Sequence, residues 1–237
     1  MLKTTLKIAN ITVQVIHNFD YLSVLCKDYI SQETPEITIE VSLEDMEAER
    51  VGPVLLSKDG YLESLAFFRK FSEILTKRGI ILFHSCVVEV NDKAYMFTAP
   101  SGTGKSTHAS LWLELLGDKA KIINGDKPFV GFEGDIPMMY STPYMGKEGW
   151  GYNGTAPIAG ICFIYRSENN TISKITPSNA FAKAYAQTLI PKDTMAATVA
   201  MGVLAKLLET VPLYSLGCNI SLEAAKLSYT TMTGELI

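Results

Sequence analysis

The sequence predicts an α/β fold, a sheet flanked by helices and preceded by a small β-rich region, on three observations. From Ile80 onward, short apolar runs alternate with stretches that repeat at helical spacing. A glycine-containing loop joins one such run to one such stretch. Before residue 60 the hydrophobic pattern has the period of two that half-buried strands show. The chain is therefore expected to divide into residues 1–60, the β-rich region, and residues 61–237, the domain that carries the chemistry.

Each element has a local reason. Residues 11–16 and 36–41 alternate apolar and polar, as strands do. Residues 45–50 are charged and expected to be solvated. Over residues 62–78, Leu65, Phe68, Phe71, Ile74 and Leu75 recur at helical spacing, and Gly79 supplies a C-cap. Residues 80–83 lead into an apolar strand at 87–90, a hairpin turn at Asn91-Asp92 and a second strand at 94–98. A helix is expected from Thr107, broken at Gly117-Asp118. A short buried strand, residues 120–126, then ends in a carboxylate. Residues 157–165 form another strand, and residues 178–190, 194–209 and 221–232 read as helices, with a strand at 212–216 between the last two.

The loop between the 94–98 strand and the next helix reads Ala99-Pro100-Ser101-Gly102-Thr103-Gly104-Lys105-Ser106-Thr107. Strand, glycine loop, Lys-Ser and helix make up a phosphate-binding P-loop. Gly102 and Gly104 allow φ > 0, so the amides of Ser101, Gly102, Thr103 and Gly104 can turn around phosphate oxygens. The helix start adds its dipole and free first-turn donors, including those of Ser106 and Thr107. Lys105 would reach the terminal phosphates, and the Ser106 hydroxyl would ligate Mg²⁺. The full pattern has glycine where this chain has Ala99, which is small enough to leave the loop room.

Three further features stand beside the loop. Asp126, at a strand end, can ligate a hard cation or act as a base, or can simply close an Asn-Gly-Asp turn. His84 lies one strand before the loop and reads as either a core histidine or a functional one. His108 reads as structural, and His17 carries no signal. The segment 142–152 is rich in glycine, aromatic and charged residues. It can close over phosphates, with Lys147 neutralising charge and Trp150 or Tyr152 shielding the site, or can be a surface loop with no specific role.

Bulk properties narrow the setting. With 237 residues, 47% of them hydrophobic, the chain can build a sizeable core. A net charge of −4 and a pI near 5.5 argue against nucleic-acid or anionic-membrane partners. No apolar run has the length of a membrane span, and residues 1–7 lack the apolar core of a signal peptide. Cys26, Cys86, Cys162 and Cys218 are far apart, which suggests neither a zinc site nor a redox pair, and Cys86 and Cys162 lie in apolar runs. A cytoplasmic setting is expected.

Phe83-His84-Ser85-Cys86, Ser101–Thr107 and Asn124-Gly125-Asp126, in that order and spacing, resemble the nucleotide-site core shared by HPr kinase/phosphorylase and ATP-dependent phosphoenolpyruvate carboxykinase. The resemblance is tight over residues 80–132 and looser toward the C-terminus, through Gly146-Lys147-Glu148, and does not reach residues 1–60. It implies a P-loop core of that type, with His84 at the catalytic or metal centre and Asp126 holding metal or helping to deprotonate an acceptor. Relatives are often oligomeric, so a homo-oligomer is possible.

The expected activity is an ATP- and Mg²⁺-dependent kinase that phosphorylates a hydroxyl, expected to be that of serine, of a protein, peptide or small molecule. Lys105, Asp126 and His84 would be catalytic, Ser106 and Asp126 would hold the metal, and Lys147 would contact phosphate together with Ser101–Thr107. Arg166 is a further candidate for phosphate or acceptor. Both families carry two adjacent Asp where this chain has Gly125-Asp126, so a catalytically weak nucleotide-binding regulator is the alternative, and Gly125→Asp would then raise turnover. Carboxykinase chemistry is a third reading. It is disfavoured by the short chain and by the lack of a basic cluster before His84.

Overall fold

The computed structural model describes residues 1–237 and divides them into two compact units, Met1–Arg78 and Gly79–Ile237. In the first unit, β1 (Leu2–Ile8) and β2 (Ile11–His17) form an antiparallel hairpin. Its two turn residues, Ala9 and Asn10, have φ of 52° and 62°. The short helix α1 (Asp20–Leu25) follows, and β3 (Ile37–Glu40) then joins β2 in parallel. The charged stretch expected to be merely solvated forms α2 (Leu43–Glu49). Ser42 and Asp45 start this helix with a reciprocal capping box.

Helix α3 (Asp59–Lys77) buries Phe67, Phe71 and Leu75, and Gly79, at φ 80°, ends it. The expected boundary at residue 60 is thus corrected to one after Arg78. Helix α3 packs on α1, α2 and β3, and Arg69–Glu49 at 2.5 Å and Lys70–Asp45 at 2.7 Å pin it to α2. The N-terminal unit is a mixed three-stranded sheet with helices, larger and less purely β than the sequence suggested.

The second unit is a mixed α/β layer structure. Its strands are β4 (Ile81–Leu82), β5 (Cys86–Val90), β6 (Lys93–Thr98), β7 (Ala120–Asn124), β8 (Phe129–Glu133), β9 (Ile136–Tyr140), β10 (Thr155–Arg166), β11 (Thr171–Lys174) and β12 (Leu213–Cys218). Its helices are α4 (Lys105–Leu116), α5 (Pro177–Tyr185), α6 (Thr194–Thr210) and α7 (Leu222–Thr233). The sheet runs β4-β8-β9-β10-β6-β5-β7. Strand β12 adds to β10, and β11 to β12. Strand β10 lies parallel to both β6 and β12, while its first residues pair antiparallel with β9. Asn91 and Asp92, both at φ above 50°, make the β5–β6 turn.

The period of two sorts the core onto two faces. Val87, Ala94, Met96, Ile161 and Phe163 pack with Ala180, Ala200, Leu204 and Leu207 of α5 and α6. Their strand neighbours Val88, Tyr95, Phe97, Cys162 and Ile164 pack with Trp112 of α4 and Ala225 and Tyr229 of α7. Helices therefore cover both faces, as parallel strands require. All four cysteines are free and buried, and no buried side-chain nitrogen or oxygen lacks a hydrogen-bond partner. No helix is long and apolar enough to cross a membrane.

The helix expected over residues 178–190 stops at Tyr185. The chain turns through Gln187 and Thr188 to bridge Phe83, with the Leu189 amide donating to the Leu82 carbonyl. This early stop brings Gln187 beside His84.

Candidate functional site

The glycine loop leaves β6 at Thr98, whose hydroxyl donates to the His84 carbonyl at 2.8 Å, and enters α4 at Lys105. Gly102 and Gly104 have φ of 77° and 124°, and nothing stands within 4 Å of where a Cβ on either would lie. Backbone conformation, not crowding, therefore calls for glycine at both. Their amides donate to no protein acceptor. Arg166, at the end of β10, donates from Nη2 to the Gly102 carbonyl at 2.6 Å and from Nε to the Thr103 carbonyl at 3.2 Å. The residue considered for phosphate or acceptor contact thus braces the loop from its carbonyl side.

Lys105 is 7% exposed and donates from Nζ to the Ala99 carbonyl at 3.0 Å, folding back over the loop. Burial holds its pKa below the ordinary lysine range, against the opposing charge of Asp126.

The second cluster comes from the ends of β4, β7 and α5. Backbone bonds clamp His84 in place: its amide donates to the Gln187 carbonyl at 2.8 Å, and the Ser85 amide to the Asp126 carbonyl at 3.0 Å. The imidazole Nε2 stands 3.0 Å from Asp126 Oδ1, and Nδ1 stands 2.8 Å from Gln187 Oε1. An ionised Asp126 accepts only, so Nε2 carries a proton. Nδ1 either donates to the Gln187 oxygen, which makes an imidazolium, or accepts from a turned Gln187 amide.

Asp126 itself is held by Asn124, a fully buried residue. The Asn124 Oδ1 accepts from the amides of Asp126 at 3.0 Å and Lys127 at 2.9 Å, while its Nδ2 donates to the Thr142 carbonyl at 3.0 Å. Burial pushes the Asp126 pKa up, but the His84 hydrogen bond and the charges of His84, Lys127 and Lys105 outweigh it, leaving the carboxyl below its ordinary range.

Both clusters face one cavity of about 350 Å³. His84, Ser101, Gly102, Gly104, Lys105, Ser106, Thr107, Asp126 and Lys147 all line it, and the sequence had named each of them as a site residue. Thr103 turns away and lines a second cavity of about 800 Å³, which shares Gly102, Gly104 and Thr107 with the first and continues past Leu111, Glu168 and Asn219.

The 142–152 segment packs on the end of β7. The Lys127 amide donates to the Tyr144 carbonyl at 3.2 Å and the Tyr152 amide to the Ile123 carbonyl at 3.3 Å, and the Tyr152 hydroxyl bonds the Glu89 carboxylate. Gly125 makes this docking possible. A Cβ there would collide with the Met145 carbonyl and lie 3.0 Å from that of Trp150. The space beside Gly125 is filled by backbone, so a carboxylate there would displace the 142–152 segment.

The donor set suits a hard cation only in part. Ser106 offers a hydroxyl and Asp126 a carboxylate on the same cavity, but no group of three His, Cys, Asp or Glu side chains gathers to hold a metal. Two oxygen donors fit Mg²⁺ when substrate phosphates complete its shell.

Sequence reasoning missed Gln187 and the space constraint at Gly125. Gln187 was hidden inside an expected helix, and Gly125 was read only as the place of a missing carboxylate. No protein-family model matches the chain, and no curated protein matches it in sequence. Among solved structures, the HPr(Ser) kinase/phosphatase from Coxiella burnetii is similar at a TM-score of 0.38 and 10% identity, over 65% of this chain and 88% of that one. At that distance the chemistry has to be read from the site itself.

Proposed function

We propose that the chain is an ATP- and Mg²⁺-dependent kinase that phosphorylates a hydroxyl. The observation that carries this reading is the meeting, in one 350 Å³ cavity, of the unpartnered Gly102 and Gly104 amides, Lys105, and a histidine–carboxylate pair. Free amides at a helix start favour phosphate oxygens, and a lysine beside them favours the charge that grows on a transferring phosphoryl group. The adjoining 800 Å³ cavity offers room for the nucleoside.

Ser106 and Asp126 would hold the cation, which when bound offsets phosphate charge. Lys105, now on the Ala99 carbonyl, would exchange that partner for phosphate oxygens. Arg166 keeps the loop carbonyls turned away, so its amides stay available. His84 orients the Asp126 carboxylate through the 3.0 Å contact.

The test is calorimetric titration of Mg²⁺-ATP into the wild type and Lys105→Ala. Binding in the wild type that the variant loses is expected. A wild type that binds no nucleotide would remove the kinase reading.

A further inference from the structure

Two carboxylates line the cavity, Asp126 and Glu148, and they stand in different circumstances. Asp126 is occupied by His84, whose Nε2 stands 3.0 Å from its Oδ1, and on the reading above it is also the carboxylate that would hold the cation. The Glu148 carboxylate makes neither a hydrogen bond nor an ion pair within the protein.

Glu148 reaches the cavity because the 142–152 segment threads through the space Gly125 leaves, between the carbonyls of Met145 and Trp150 and the β7 end. Gly146 then turns at φ 80°, and a Cβ on it would lie 3.3 Å from the Asp126 Cβ and 3.6 Å from Glu148 Oε2. Asp126 and Glu148 thus both border Gly146.

Resting on the kinase reading above, we infer that Glu148 is the general base of the phosphoryl transfer. The acceptor hydroxyl oxygen bonds to the γ-phosphorus. The bond from that phosphorus to the bridging β,γ-oxygen breaks, and its electron pair leaves on the nucleoside diphosphate. The hydroxyl proton passes to the Glu148 carboxylate, which releases it to solvent. The two acids thereby divide the work, one engaged by His84 and electrostatic, the other free to take the proton.

The experiment uses ATP with water as the acceptor, so no natural substrate is needed. Phosphate release and Mg²⁺-ATP affinity are measured for the wild type, Glu148→Gln and Glu148→Asp. Glu148→Gln is expected to lower kcat roughly 100-fold or more with Kd changed less than about twofold, and Glu148→Asp to recover part of the rate. Three outcomes overturn the assignment: an unchanged kcat in Glu148→Gln, a Kd that weakens in step with kcat (the mark of a cation ligand), or a wild type that binds Mg²⁺-ATP without ever cleaving it. Absence of nucleotide binding by the wild type would instead overturn the kinase reading itself.

Discussion

His84 Nδ1 lies 2.8 Å from Gln187 Oε1, a contact between residues 103 positions apart that fixes the imidazole from the side opposite Asp126. A ring held at both nitrogens cannot swing, and its Nε2 stays on the carboxylate. Gln187→Leu removes one of the two anchors while leaving the glycine loop untouched. We expect kcat for phosphate release from ATP to fall about tenfold with Kd for Mg²⁺-ATP unchanged. Gln187→Glu, which keeps an acceptor at Nδ1, should retain more of the rate. Equal losses in kcat and affinity would show that Gln187 supports the fold and not the ring.

Gly125→Asp is expected to lower stability and turnover, reversing the gain that the sequence alone suggested. Any Cβ at this position meets the Met145 carbonyl, which belongs to backbone and cannot rotate aside. The 142–152 segment must then lift off β7, at about 1–3 kcal/mol as for other overpacked sites, and Lys147 and Glu148 move with it. Urea denaturation and ATP affinity of Gly125→Ala and Gly125→Asp check this. Faster ATP cleavage by Gly125→Asp would contradict it.

How much of this was legible in the sequence follows from how local each requirement is. The glycine loop announces itself because a positive-φ turn, a lysine and a helix start must be neighbours in the chain. The strands β5, β6 and β10 show because burial on two faces needs continuous apolar runs. Asp126 was readable as a carboxylate ending such a run.

The Gln187–His84 contact was not readable, since it depends on α5 stopping at Tyr185 and on the Phe83–Thr188 bridge, both decided by tertiary pairing. Nor was the role of Gly125, because its neighbours come from a loop 20 or more residues later. The boundary after Arg78 was missed for the same reason: the amphipathic face of α3 could have served either unit, and packing alone assigns it.

Arg166→Ala should loosen the glycine loop. The guanidinium bonds two successive loop carbonyls, those of Gly102 and Thr103, and a lysine could reach only one at a time. Without it the loop is free to turn carbonyls toward the cavity, where they repel phosphate. We expect Kd for Mg²⁺-ATP to weaken about tenfold, or roughly 1.4 kcal/mol, with Arg166→Lys intermediate. An unchanged Kd would mean that the two glycines alone hold the loop open.

Acid should destabilise the second unit through His108, which is 3% exposed on α4. Its Nε2 stands 2.9 Å from Ser228 Oγ, which also accepts from Trp112 Nε1 at 2.8 Å and donates to the Ala225 carbonyl at 3.0 Å. On the other side Nδ1 meets only the Cys218 thiol, at 4.0 Å. A neutral ring with its proton on Nε2 satisfies this network, and a second proton on Nδ1 would be buried without an anionic partner. Burial accordingly pushes the His108 pKa from the ordinary 6.5 down to about 4. Between those values the unfolded chain binds a proton that the folded chain refuses, so stability rises with pH across the window. The contribution is complete above about pH 6.5 and is lost as the pH falls toward 4, in total about 3 kcal/mol. Urea denaturation at pH 7 and pH 5, followed by tryptophan fluorescence, should show the loss in the wild type. In His108→Gln, which keeps a donor for Ser228 but does not titrate, the difference should shrink by most of that amount. A variant that tracks the wild type at both pH values would place the acid sensitivity elsewhere.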